Sequence, residues 1–157
     1  MSIETVKAYF RALGREQDVR EFPVSSATVE LAAQALQVEP ERIAKTLSFV
    51  RDEGGILIVC AGDARIDNQK FKAEFGMKAK MLSLEDALRL TGHPVGGVCP
   101  FAVGEGINGI YLDVSLKRFD TVFPACGSAN SAIELTCEEL FEYSKADRWV
   151  DVCKDWA

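Results

Sequence analysis

The run Ile56-Leu57-Ile58-Val59-Cys60-Ala61 is apolar at every position. A strand with one wet face alternates apolar and polar residues, so an unbroken run of this length predicts a strand covered on both faces. The preceding Asp52-Glu53-Gly54-Gly55 carries turn residues and predicts a hairpin joining Ile56–Ala61 to a strand over Thr46–Val50. The chain must therefore supply layers for both sides of a central strand. At 157 residues, 48% of them hydrophobic, it has the material to do so within one domain, 1–157.

The rest of the pattern supplies those layers. Ile3, Val6, Tyr9, Phe10 and Leu13 recur at helical spacing over Ser2–Leu13, with Gly14 as a stop. Val19–Phe22 reads as a short strand ended by Pro23. Ser25, Ser26 and Thr28 offer caps to a helix bearing Val29, Ala32, Ala33 and Leu36 on one face, and Pro40 starts a second short helix expected to end near Lys45. A helix is expected over Ile66–Phe75 and a strand over Lys78–Leu82. Ser83 with Asp86, and Thr136 with Glu139, resemble capping boxes opening helices that end at Thr91 and Ser144. Gly109–Asp113, Thr121–Pro124, Ser131–Leu135 and Trp149–Val152 complete the expected strands. Helices and strands mix without a strict βαβ rhythm, which predicts an α+β domain with a mixed sheet.

Composition narrows the function classes. No apolar run approaches the roughly 20 residues that span a bilayer, and MSIETVKAYFRALG lacks the layout of a signal peptide, so a cytoplasmic protein without membrane partners is expected. The five cysteines form no CxxC and stand near no histidine pair, which points to free thiols and to no metal site or cofactor. The net charge of -6 disfavours gripping long nucleic acid, DNA included. An RNA partner would be met only at a short end.

Three segments carry candidate chemistry. Thr91–Asp113 holds six glycines and two prolines; within it, Gly96-Gly97-Val98-Cys99-Pro100 can turn successive N–H groups toward one point, or serve only as a connector. Gly104-Glu-Gly106-Ile-Asn-Gly109 fits GxGxxG, but it enters a strand rather than opening a helix, so a dinucleotide site is rejected. His93, the only histidine, is expected to be a surface loop residue rather than a base. Lys45 leads into the strand bearing Leu47 and Phe49; it either snorkels at a helix end or aims a cation into a pocket. Cys126-Gly127-Ser128-Ala129-Asn130-Ser131 is a hairpin turn or a pocket wall.

Together, IAKTLSF around Lys45, IDNQKFKAEFG at Ile66–Gly76, TGHPVGGVCPF at Thr91–Phe101 and CGSANSAIELTCEEL at Cys126–Leu140 resemble the YbaK/prolyl-tRNA-synthetase-associated editing-domain family. The resemblance implies a mixed, mostly antiparallel sheet curled toward an open barrel and flanked by helices. It implies hydrolysis of the ester joining a small wrong amino acid to tRNA, of the prolyl type, at the 3' CCA end, with prolyl-tRNA synthetase as a possible partner. It makes Lys45, Gly97 and Val98 catalytic, and Thr46, Gly96, Cys99, Pro100, Phe101, Gly127 and Ser128 substrate-binding. Two positions depart from the pattern: Ala132 stands where some relatives carry an acid, and Ala102 where glycine is frequent. A non-catalytic aminoacyl-tRNA or synthetase-docking module is the alternative, and an esterase of simpler substrates a third reading.

Overall fold

The computed structural model describes residues 2–94 and 96–156. The chain forms α1 (Ser2–Ala12), β1 (Arg20–Glu21), α2 (Val29–Leu36), β2 (Ile43–Arg51) and β3 (Gly54–Ala61). After these come β4 (Arg65–Ile66), α3 (Asn68–Phe75), α4 (Leu84–Thr91), β5 (Ile107–Asp113) and β6 (Thr121–Pro124). Then follow β7 (Ser131–Ala132), β8 (Leu135–Thr136), α5 (Cys137–Ser144), β9 (Arg148–Val150) and β10 (Cys153–Lys154). Residues Ile56–Ala61 of β3 are all 0% exposed, as the unbroken apolar run requires. This strand sits inside a six-stranded sheet ordered β8-β6-β2-β3-β5-β9, curled into a half-barrel.

Strands β2–β3 and β6–β8 pair antiparallel, as do the small outlying pairs β1–β7 and β10–β4. Parallel pairing joins β2–β6, β3–β5 and β5–β9. One core cluster fills both sides of the sheet. It takes Val6 and Phe10 from α1, Phe71 from α3 and Leu140 from α5. No helix of the described residues is long and apolar enough to cross a membrane.

Several boundaries differ from the sequence expectation, and each difference has a tertiary cause. Lys45 does not end a helix: only a 3-10 turn spans Pro40–Arg42, and β2 pairs with β3 along its length from Ala44↔Ala61 to Arg51↔Gly54. The strand expected at Lys78–Leu82 shrinks to a single bridge, Met81 against Phe49. It is fastened by Val50 N–H to Lys80 O at 2.8 Å and Leu82 N–H to Ser48 O at 3.1 Å. Since β6 covers only Ile43–Ala44 of that edge, this segment satisfies part of the remainder. Ser131–Leu135 splits into β7 and β8, because β7 pairs with β1 while β8 pairs with β6. The final strand splits around Val152, whose N–H donates to the buried Asp113 carboxylate at 2.8 Å. Thr136 and Glu139 form the full capping box; Ser83 accepts from Asp86 N–H alone.

Candidate functional site

Three stretches of irregular chain converge beside the start of β2. The stretch after β1 is clasped to the small-residue loop by Phe22 N–H to Asn130 O at 2.8 Å and Ser26 N–H to Ala129 O at 2.6 Å. The glycine-rich loop closes on the same place. A Cβ at Gly97 would stand 2.5 Å from Ser128 N and 2.7 Å from Gly127 C, so the two loops pack main chain against main chain. Gly96, at φ +84°, leaves room for Ala27 and Ala129; a Cβ there would meet the Ala27 Cβ at 2.9 Å. Only glycine allows both that backbone conformation and that approach.

Between these loops and β2 lies a cavity of about 250 Å³, lined by Ser26, Lys45, Thr46, Gly96, Val98 and Ala132 among others. Its larger share of lining is apolar, from residues such as Val29, Ala125 and Leu82. Lys45 is half-buried, and its ammonium donates to Ala64 O at 2.5 Å and Gly62 O at 3.3 Å at the end of β3. An ammonium has three protons, so a further donor is left for an incoming group. Among the described residues lining the cavity Lys45 is the only charged one. The hydroxyls of Ser26 and Thr46 are buried and have no hydrogen-bond partner among the described residues. Leaving a buried hydroxyl unpaired costs about 1–3 kcal/mol, so such atoms call for an explanation.

The loop sends alternate residues to opposite sides. Gly96 and Val98 face the cavity, while Gly97, Cys99 and Phe101 are buried behind it. Phe101 packs edge-on against Phe10 of α1 at 4.9 Å between ring centres. His93 corrects the expectation of a surface residue, being 1% exposed. Its Nε2 lies 2.8 Å from Phe101 O, an atom that only accepts, so Nε2 carries the proton. Nδ1 then accepts from the Ser2 hydroxyl at the start of α1. Burial lowers the His93 pKa and keeps the ring neutral, although the bond to Phe101 works the other way. Burial also pushes the Cys99 thiol up to about 12, which makes it inert at neutral pH.

Of the residues singled out from sequence, Lys45, Thr46, Gly96 and Val98 share the cavity wall. Gly97 gives its N–H to Pro94 O at 2.9 Å, so its part is the missing side chain rather than a donor. Cys99 and Phe101 belong to the core, and Pro100 is buried beside them. Gly127, at φ +93°, backs onto Ser2, and the Ser128 hydroxyl is 2.7 Å from Ser131 Oγ and 2.9 Å from Asn130 Oδ1, within its own loop. Lys70, which is not among the residues lining the cavity, is held by Asp151 and by Cys153 O. Ser26 is the residue that sequence reasoning missed. It reads as one of three capping candidates, yet Thr28 alone caps α2, accepting from Leu31 N–H at 3.1 Å.

Comparison with known proteins agrees with this architecture. The sequence profile of the aminoacyl-tRNA editing domain matches residues 24–143. The uncharacterized protein YwhH of Bacillus subtilis is 59% identical over 158 residues, covering 99% of both chains. A proline--tRNA ligase of Kosmotoga olearia is 31% identical over 91 residues, which are 57% of this chain but 16% of the ligase. A crystal structure of a candidate trans-editing enzyme for prolyl tRNA synthetase superposes with a TM-score of 0.86 at 29% identity, over 98% of this chain and 97% of the other. The chain belongs to the aminoacyl-tRNA editing-domain family.

Proposed function

We propose that this editing-domain protein, acting as one unit over residues 1–157, is a trans-acting deacylase. It would hydrolyse the ester that joins a small mischarged amino acid to the 3' end of a tRNA, with prolyl-type tRNA the first candidate and the cytoplasm its place of work. The reading is carried by one observation: Lys45 lines the same cavity as Gly96 and Val98 of the glycine-rich loop. The bond that breaks joins the aminoacyl carbonyl carbon to a ribose oxygen. Water adds its oxygen to that carbon, and the ribose oxygen leaves with a proton.

Such an ester is already activated, so holding it in place and offering preorganised positive charge can supply much of the acceleration. The ammonium of Lys45, half-buried and steadied by the Gly62 and Ala64 carbonyls, serves the terminal phosphate or the oxygen on which charge develops. Gly96 and Val98 bring main chain up to the ester. Because only the CCA end enters, few phosphate contacts are needed, which suits a protein of net charge -6. His93 is sealed behind the loop, so this scheme uses no histidine base.

The test is a deacylation assay over alanyl-, cysteinyl-, seryl- and threonyl-tRNAs, with wild type and Lys45→Ala side by side. Release of at least one amino acid by wild type and its loss in the variant, with circular dichroism unchanged, is the expected result. Equal rates for the two proteins would remove Lys45 from the mechanism. Absence of all release by wild type would defeat the deacylase reading.

A further inference from the structure

We infer that Asp63 and Arg118 form a positioning pair that holds the Lys45 ammonium at the cavity wall. The inference rests on the deacylase reading for what Lys45 does, and adds what keeps it in place. Its ground is the turn that follows β3. The two carbonyls that receive the ammonium, Gly62 O and Ala64 O, belong to the residues on either side of Asp63. A shift of the Asp63 backbone therefore moves both acceptors. The Asp63 carboxylate is taken by a single guanidinium, with Arg118 Nη2 donating to Oδ1 at 2.6 Å and Nη1 to Oδ2 at 3.0 Å. The same guanidinium donates from Nε to Ser115 O at 2.9 Å.

Arg118 is itself firmly placed. It ends the 3-10 turn Val114–Arg118 after β5, where the buried Asp113 carboxylate accepts from Ser115 N–H at 2.9 Å and from Val152 N–H. Its guanidinium carbon lies 4.8 Å from the ring centre of Phe119 and 5.0 Å from that of Trp156. Ser115 reaches the turn a second time, its hydroxyl accepting from Ala61 N–H at 3.1 Å, and Ala64 N–H closes the turn on Ala61 O at 3.0 Å. Gly62 fits closely against other chain: a Cβ there would overlap Pro40 O and come within 2.8 Å of Val29 Cγ1. The turn is thus fastened to Arg118 and Ser115 and packed against Pro40 and Val29. With side chains 19% and 27% exposed, an Arg118–Asp63 pair adds little to folding stability, but its two-pronged contact fixes geometry. Neither residue is among those lining the cavity, so the pair acts through Lys45. A misplacement of about 1 Å at a reacting centre costs up to about a hundredfold in rate, so a contact of small stability carries a large functional consequence.

The first readout does not depend on turnover. In a proton–nitrogen correlation spectrum of the lysine ammonium groups, the Lys45 signal is identified by its absence in Lys45→Ala. It should be resolved and protected from solvent exchange in wild type. Asp63→Ala and Arg118→Gln should move it toward the exposed lysines and remove the protection. Arg118→Lys, which keeps the charge without the fork, should do so in part. Arg15→Gln breaks a comparably exposed ion-pair group with Asp18 and Glu139, and should leave the signal unchanged, which separates placement from stability. Should Arg118→Gln fail to fold, Asp63→Ala carries the test, because it leaves Arg118 beside its two rings. A Lys45 signal unchanged in the Asp63 and Arg118 variants, or unprotected in wild type, would overturn the inference. The second readout is single-turnover deacylation of a tRNA that wild type hydrolyses. Asp63→Ala should slow wild type about ten- to a hundredfold and slow Lys45→Ala no further. An equal loss in both backgrounds would overturn the inference by giving the pair a role of its own. If wild type releases no amino acid, the deacylase reading fails, and the spectrum alone still decides the placement.

Discussion

On the buried side of residues 96–101 both ring nitrogens of His93 are partnered, to Ser2 and to Phe101 O, and the Cys99 thiol lies 3.5 Å from the same ring. On the cavity side the Lys45 ammonium, brought there by β2, has a donor to spare, and the buried hydroxyls of Ser26 and Thr46, two residues of the cavity lining, have no partner among the described residues. The same short loop therefore separates a closed polar network from an open one. Proteins pair their buried polar atoms where the structure is self-sufficient. Atoms left without partners mark where something else is expected. The histidine and the cysteine lie on the buried side, and the cavity side is built from a lysine, small residues and main chain.

The widest separation of the two sides should come from Lys45→Ala. Removing one preorganised charge at a reacting oxygen costs about a hundred- to a thousandfold in rate, and steady-state deacylation should show it with circular dichroism unchanged, beside a loss of about 1–2 kcal/mol in unfolding from the bonds to Gly62 O and Ala64 O. Gly97→Ala should blur the distinction instead. Its Cβ would run into the Gly127–Ser128 main chain, so denaturant unfolding should reveal a loss of about 3 kcal/mol along with activity.

His93→Ala should act only from behind, costing about 2 kcal/mol through the lost bonds to Ser2 and Phe101 while leaving activity per folded molecule intact. Because burial lowers its pKa in the folded protein, the unfolded chain takes up the proton first as pH falls below about 6.5. Stability present above that pH should therefore decline toward the lower folded-state value. His93→Gln, which cannot titrate, should lose this part of the slope in denaturation curves recorded from pH 7.5 to 5.

The smallest effect concerns the loop's exit. Ala102 has φ +52°, a left-handed conformation that strains a residue with a Cβ, at a position where the family resemblance leads one to expect glycine. Ala102→Gly should relieve that strain and, after the entropy of a freer unfolded chain, gain about 0.5 kcal/mol.

How much of this is legible in the sequence varies with the range of the cause. The buried strand Ile56–Ala61, the cap at Thr136 and the stops at Gly76 and Gly92 are local signals and appear where the residues predict them. The start of β2 is not local, because its pairing with β3 overrides the helical reading of the residues around Lys45. The burial of His93 depends on Ser2, 91 positions away, and on Phe10 packing over Phe101, so no window around the histidine contains it. Ser26 is hidden for a different reason. Three capping candidates within four positions explain one another in the sequence, and only the bonding of each hydroxyl shows which is left over.

The most direct test is a crystal structure with a 3'-aminoacylamido-adenosine bound. The account expects the amide in the cavity, with the Lys45 ammonium and the main chain of residues 96–98 within about 3 Å of its polar atoms and the His93 bonds unchanged. An analogue seated elsewhere, with Lys45 remaining on the Gly62 and Ala64 carbonyls alone, would contradict it.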